Sequence, residues 1–300
     1  MPEINSKYYA ELWKQELKDE IEELKTTPSL TIIIGKEYYP PSKIYVNNKL
    51  KVTKELGIKT NLIEIKWQNK TKEELIRELQ NQLNMCYIEG GSVIIQDPFP
   101  LIPQETIGEM LEDYYMLDVD GFSRTQKHLL LENNRNALVP CTALGVIKLL
   151  KYVHGEDLTS KSISIFSRSN LIGKPLLQLA LNENMTPTVL HSKSHQHSKC
   201  MAFASDIIVT GCGKRKLFNS DDIMNSKANI VDCSMDKIEG IKGVGDCDKE
   251  DILEHFPKVN IASGYGHSGL FTVLALMSNV IKAHKINSKE YNYDIYKSTN

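Results

Sequence analysis

Lys49 follows Tyr45 by four residues, so on a helix the two side chains share one face. A lysine there is either a solvated surface residue or a proton carrier. The second role requires an amine partly neutral near pH 7, through burial or through neighbours that lower its pKa. Gln96 closes a later apolar run and can offer such an amine a neutral hydrogen bond, without fixing the ammonium form as a carboxylate would. Asp97-Pro98-Phe99-Pro100 follows, its prolines imposing a rigid exit. Asp118-Val119-Asp120-Gly121-Phe122 sets two carboxylates on alternating sides of an extended stretch. One of them, facing a pocket, could accept a pair of N–H donors from a heterocycle.

A second set of residues suits an anion. Ser167-Arg168-Ser169-Asn170-Leu171-Ile172-Gly173-Lys174-Pro175 reads as a strand end turning into a helix. Such a turn aims backbone N–H groups and the positive end of the helix dipole at a ligand. It is not G-x-G-x-x-G. Arg168 can pair with a phosphate and Ser169 can hydrogen-bond it; the plain alternative is an ordinary turn with a solvated arginine. The next apolar run ends in His191-Ser192-Lys193-Ser194, where dinucleotide folds carry an acid for the ribose 2′-hydroxyl. No acid stands here. A basic, hydroxyl-bearing pocket favours a 2′-phosphate, hence NADP over NAD. His191, His195, His197 and Cys200 lack a second ligand pair at zinc spacing, so no metal site is expected.

These residues need strands and helices to place them. Leu12, Trp13, Leu17, Ile21 and Leu24 mark an amphipathic helix over 8–26. Apolar runs at 31–35, 60–65 and 92–96 read as strands, with helices over 42–56 and after a capping box at Thr71 and Glu74. The rhythm restarts after Pro140. Helices are expected over 142–154, 174–184 and 196–204, strands over 162–167, 187–192, 206–211 and 229–234, and a last helix from near Leu270. Strands alternating with helices predict two α/β domains with mostly parallel sheets, whose ligands sit at the carboxyl ends of the strands.

Composition agrees. Three hundred residues suggest roughly two domains of about 150. With 41% hydrophobic and 25% charged residues the chain reads as an ordinary globular protein, and a net charge of −2 argues against nucleic acid as a partner. The longest apolar run, near Leu270–Val280, is about half the ~20 residues of a membrane span. Glu3, Glu11, Glu16, Asp19 and Glu20, with no apolar h-region, give the expectation of no secretory or transit signal. Cys86, Cys141, Cys200, Cys212, Cys233 and Cys247 form no C-x-x-C pair, which fits a reduced, cytoplasmic protein.

Taken in order, the motifs resemble the bifunctional methylenetetrahydrofolate dehydrogenase/methenyltetrahydrofolate cyclohydrolase family. The matching stretches are Ser42-x-x-Tyr45-Val46-x-x-Lys49, Ile95-Gln96-x-Pro98-x-Pro100, Asp118–Phe122, Pro140-Cys141-Thr142-x-x-Gly145 and Ser167–Pro175. His191-Ser192, Ala204–Ile207, Val231-Asp232 and Gly245–Asp248 continue the series, which spans about 30–285. The resemblance implies that Lys49 is the general acid/base of the cyclohydrolase step, with Gln96 tuning it. It implies that Asp120 holds the pterin and Tyr45 packs on the aminobenzoyl ring. NADP would be bound by Ser167, Arg168, Ser169, Ile172, Gly173, His191, Ser192 and Gly213, with Arg168, Ser169 and Ser192 on its 2′-phosphate.

The resemblance also implies a folate-binding domain over 1–139, completed by a helix at about 270–300, and a Rossmann-like NADP-binding domain over 140–269, with a cleft between them. The substrates would be tetrahydrofolate derivatives, and the protein a homodimer through the cofactor domain. Four positions depart from the family pattern: Ser167 for glycine, Leu117 for lysine, Asp97 for leucine, and Gly266–Thr272 for Gly-Gly-Val-Gly-Pro-Met-Thr. Asp97 would set a charge beside Lys49. These departures leave two alternatives beside the bifunctional reading: a monofunctional dehydrogenase using NADP or NAD, and a weakly active folate- or nucleotide-binding relative.

Overall fold

The structure, a computed structural model, describes residues 4–37, 40–195, 203–234, 245–263 and 267–288, without the side chains of 40–44. The chain divides into two compact units: Glu16–Val139 with Leu276–Asn300, called the first unit here, and Pro140–Ala275 with Met1–Gln15, the second. Both are α/β with parallel sheets.

In the first unit, β1 (Ser29–Gly35), β2 (Lys59–Ile65) and β3 (Ser92–Ile95) form a parallel sheet in the order β2-β1-β3. β3, at one edge of this sheet, is nevertheless buried along its whole length, because the chain around Leu117 and Asp118 runs along its outer side. Helix α2 (Pro40–Leu56) links β1 to β2, and α3 (Lys72–Glu89) links β2 to β3. The expected capping box forms: Glu74 N donates to Thr71 Oγ1 at 3.2 Å and Thr71 N to Glu74 Oε2 at 2.7 Å. Leu75, Leu79 and Leu83 then point one buried stripe at the sheet, each contributing ~1.5–3 kcal/mol. Past β3, Val93 N donates to Leu117 O at 2.8 Å and Val93 pairs with Asp118, which lays the two-aspartate stretch alongside β3. Two short helices, α4 (Gln104–Met110) and α5 (Arg124–Leu131), flank that stretch and were not read from the sequence.

In the second unit, β4 (Ser162–Phe166), β5 (Thr186–Leu190), β6 (Ile207–Thr210), β7 (Asn229–Asp232) and β8 (Asn260–Ala262) form a parallel sheet in the order β5-β4-β6-β7-β8. Helices α6 (Cys141–His154), α7 (Gly173–Asn182) and α8 (Lys249–His255) belong with it. Phe166 stacks on Phe203 at 5.5 Å and meets Phe218 edge-on at 4.6 Å in its core. The expected helix over 196–204 lies mostly outside the described residues.

The opening and closing helices depart from the expected boundaries. α1 (Ser6–Glu22) starts inside the second unit, not the first. Tyr9 stacks on Tyr152 at 5.5 Å, Trp13 packs on Phe271 at 5.6 Å, and Lys148 Nζ lies 4.8 Å from the Tyr152 ring centre. α9 (Ser268–Asn287) begins two residues before Leu270, and from Leu276 onward it belongs to the first unit. There Asn279 Nδ2 donates to the Val119 and Val139 carbonyls, both at 2.8 Å, and Lys282 Nζ to Ala137 O at 3.1 Å. Burial holds the Lys282 amine below its ordinary pKa, and Glu20 works against that shift. Among the described residues, no helix is long and apolar enough to cross a membrane.

Candidate active site

Strand β3 ends at Ile95, and the next residue turns a side chain toward α2. Gln96 N donates to Ile33 O at 2.8 Å, which anchors it to the neighbouring strand. Lys49 Nζ donates to Gln96 Oε1 at 2.9 Å, and Gln96 Nε2 donates to the Asp97 carbonyl at 2.8 Å. The backbone carbonyl thereby orients the amide, leaving its oxygen for the lysine. Lys49 is 9% exposed, so its amine is shielded from water and held by a neutral acceptor. Tyr45 is half-buried one turn earlier on the same helix.

Asp97, next to Gln96, is electrostatically linked to Asp120, and Asp120 to Asp118. Burial, then Asp120 and then Glu105, pushes the Asp97 carboxyl above its ordinary pKa. Its carboxyl is thus raised chiefly by burial, where the sequence suggested a charge beside Lys49. Asp118 is fully buried and its Oδ2 accepts from Ser123 N at 2.7 Å, at the start of α5. Burial pushes it up to about 6, against the hydrogen bonds from Ser123 and with a small push from Asp120. Its Oδ1 has no hydrogen-bond partner. Asp120, two residues on, is half-buried. The extended stretch expected here is instead a turn, with Gly121 N donating to Asp118 O at 3.2 Å, and that turn separates a buried acid from one that remains accessible.

The Asp118 shift has a testable sign. A carboxyl raised from 3.8 to about 6 is easier to keep protonated in the fold, so its stability contribution is lost as pH rises from about 4 through about 6. Above that window the buried charge costs about 3 kcal/mol. Asp118→Asn keeps an acceptor for Ser123 N and removes the charge. Its thermal midpoint at pH 7.5 should match or exceed that of the wild type, and the fall between pH 4 and 6 should flatten. A midpoint several degrees lower at pH 7.5 would refute this account.

In the second unit, β5, β4 and β6 are neighbours and parallel, so the segments leaving their carboxyl ends border one another. After β4, Ser169 N and the Ser169 hydroxyl contact Ser167 Oγ at 3.4 and 3.2 Å, while Ile172 N donates to Ser169 Oγ at 3.1 Å. Arg168 and Ser169 are exposed and Ile172 is half-buried. A Cβ on Gly173 would lie 2.1 Å from Ser167 O and 2.7 Å from Arg168 N. Only glycine lets the strand end and the helix start approach this closely, the cradle that a dinucleotide phosphate requires. After β5, His191 Nδ1 accepts from Lys193 N at 3.1 Å and His191 N donates to Ser194 Oγ at 3.0 Å, leaving Ser192 and Lys193 exposed. After β6, Gly213 has φ +67 and donates to Ser234 Oγ at 3.0 Å.

Between these segments, Cys212 is exposed as a residue, but its sulfur donates to Phe166 O at 3.0 Å; partial burial, then Asp246, pushes the thiol up to about 11. Burial also raises the thiols of Cys233 and Cys247. Among the described residues no group of three His, Cys, Asp or Glu could hold a metal; His197 and Cys200 lie outside them, as does Gly266. Asp232 and Asp246 were legible only as motif positions without a role. No local pattern marks them, because their partners come from other loops.

The family model described as "Tetrahydrofolate dehydrogenase/cyclohydrolase, catalytic domain" matches residues 4–112, and that for the NAD(P)-binding domain of the same enzymes matches 140–288. A "Bifunctional protein FolD" of Acetivibrio thermocellus is 34% identical over 295 residues, 95% of this chain and 98% of that relative. A protein of the same name from Rickettsia bellii is 34% identical over 290 residues, covering 95% and 99%. Among solved structures, the bifunctional FolD enzyme of Campylobacter jejuni superposes with TM-score 0.82 at 29% identity, covering 94% of this chain and 98% of its own. The Trypanosoma brucei enzyme, solved with NADP cofactor and an inhibitor, superposes with TM-score 0.81 at 26% identity, covering 96% and 98%. With both halves of the chain matched by family models and relatives above 30% identity along nearly its whole length, the chain belongs to the tetrahydrofolate dehydrogenase/cyclohydrolase family.

Proposed function

We propose that this protein oxidises 5,10-methylenetetrahydrofolate to 5,10-methenyltetrahydrofolate with NADP and hydrolyses the product to 10-formyltetrahydrofolate. The observation that carries this reading is the shielded Lys49–Gln96 pair, at 2.9 Å, in a chain of this family. Tyr45 packs on the aminobenzoyl ring and Asp120 accepts the N–H pair of the pterin. Bound NADP supplies the hydride acceptor. Arg168, Ser169 and Ser192 hold its 2′-phosphate, while Ser167, Ile172, Gly173, His191 and Gly213 shape the rest of its seat.

In the hydrolytic step, water attacks the methenyl carbon, which already carries amidinium charge. Lys49 takes one proton of that water and delivers it to N5 as the carbon–N5 bond breaks, while the remaining hydroxyl proton passes to solvent as the carbonyl forms, leaving the formyl group on N10. Gln96 holds the amine in place through an uncharged contact. Glu16–Val139 with the later part of α9 is then the folate unit, and Pro140–Ala275 the cofactor unit. The protein would act in the cytoplasm as a homodimer through the cofactor unit, supplying one-carbon groups for purine, methionine and histidine biosynthesis.

The test is the absorbance of methenyltetrahydrofolate formed from the methylene substrate, with NADP and NAD compared, followed by its decay to the formyl product. No methenyl signal with either cofactor would overturn the proposal. Arg168 sharpens it. Arg168→Ala removes a charge-assisted contact worth about 1.5–3 kcal/mol, so NADP should bind roughly 10–150-fold more weakly. NAD should change little. An equal loss for both cofactors would assign Arg168 to the pyrophosphate or to the fold.

A further inference from the structure

Asp232, the last residue of β7, is 1% exposed, and Asp246 is fully enclosed. Asp232 Oδ1 accepts from the Thr210 hydroxyl at 3.1 Å and from Ser234 N at 3.0 Å. Its Oδ2 accepts from Cys247 N and the Ser263 hydroxyl, both at 2.9 Å, and its carbonyl from the Ser268 hydroxyl at 3.1 Å. Asp246 Oδ2 accepts from Cys212 N at 2.6 Å, and Oδ1 from Lys214 N at 2.7 Å. Gly245 runs so close to Asp232 that a Cβ would lie 2.0 Å from Oδ2. These bonds join the segments that leave β6, β7 and β8.

The chemistry of the donors matters. A hydroxyl can reverse and accept, but the N–H groups of Cys212, Lys214, Ser234 and Cys247 can only donate. Each carboxylate is therefore held by donors that require an acceptor-only partner, in bonds roughly twice as strong as neutral ones. Gly213, between the two clamped residues, has no described atom within 4 Å of where its Cβ would stand.

We propose that Asp246 is a positioning residue for the dinucleotide: it clamps Cys212 and Lys214 on either side of Gly213, while Asp232 ties that clamp to the ends of β7 and β8. The inference rests on the reading of the Gly213 loop as part of the NADP seat. Neither acid touches the reacting atoms. Their effect is to present the loop already formed, so that binding does not have to order it.

Asp246→Asn is the test, because it preserves volume while its NH₂ faces one backbone N–H whichever way the amide turns. Asp251→Asn is the control: Asp251 Oδ2 accepts from Ser220 N at 2.6 Å, a bond of the same kind elsewhere in the unit. NADP binding to the full protein is measured by calorimetry, with KM for NADP and kcat at saturation alongside. Asp246→Asn should raise Kd and KM about tenfold, as when about one molecule in ten holds the competent loop, with kcat at saturation kept. Asp251→Asn should leave the NADP Kd unchanged. An unchanged Kd for Asp246→Asn, or equal losses in both variants, overturns the clamp. A wild-type protein that binds no NADP overturns the parent reading and the clamp with it. Should Asp246→Asn not fold, hydrogen exchange of wild-type protein without NADP decides: slow Cys212 and Lys214 amides support the clamp, and near-unprotected rates overturn it.

Discussion

Replacing Lys49 with methionine should abolish hydrolysis of supplied methenyltetrahydrofolate, by ~10²–10⁴-fold. Methionine fills a similar volume and leaves the Gln96 amide tied to the Asp97 carbonyl, so the site keeps its shape while losing its proton carrier. Hydride transfer needs no protein proton carrier, so oxidation of the methylene substrate should fall far less. The two rates come from one absorbance band, followed as it grows with NADP and as it decays without it. Hydrolysis within a few-fold of the wild type would remove Lys49 from its role. An equal collapse of both rates would make it a substrate-positioning group.

Gly173→Ala should be the most damaging single-methyl change in the cofactor unit. The added Cβ would stand 2.1 Å from Ser167 O and 2.4 Å from Ser167 C, both backbone atoms that cannot swing aside. The strand end and the α7 start must separate, at an overpacking cost of about 1–3 kcal/mol or more. Seating of a phosphate against the helix start is lost with them, so NADP affinity should fall by at least about 100-fold, since the cradle and its N–H donors move together. Gly213→Ala makes the comparison. It meets no described atom within 4 Å, and only its φ of +67 is strained, at about 1–2 kcal/mol. If the two alanine variants bound NADP equally well, close approach at Gly173 would not be what shapes the seat.

Much of this arrangement was legible from residue order alone. β1 and β3 carry the apolar runs Ile32–Ile34 and Val93–Ile95, β4 pairs its isoleucines with a buried serine, and the parallel α/β reading follows from the alternation of such strands with long helices. Lys49 and Gln96 were pairable in advance because a helix after one strand and the end of a neighbouring strand must meet at the same sheet edge. α4, α5 and β8 were not legible: seven, eight and three residues are too few to display a period. The partner of α1 was also hidden, since an amphipathic stripe bearing Tyr9 and Trp13 says that a face is buried but not against which core. The roles of Asp232 and Asp246 depend on backbone donors from segments up to about thirty residues away, which no local pattern encodes. Asp97 was expected to set a charge beside Lys49, but its carboxyl is raised first by burial and then by Asp120 and Glu105, none of which adjacency in the sequence shows.

The inward turn of Cys212 has a consequence for handling the protein. A thiol pushed up to about 11 is present as thiolate in only about one molecule in 10⁴ at pH 7, and thiolate is the form that attacks. Cys233 and Cys247, also raised by burial, are quieter still. Although Cys212 is exposed, it should therefore react only slowly with maleimides or iodoacetamide near neutral pH. Its alkylation should quicken as the pH is raised toward about 11.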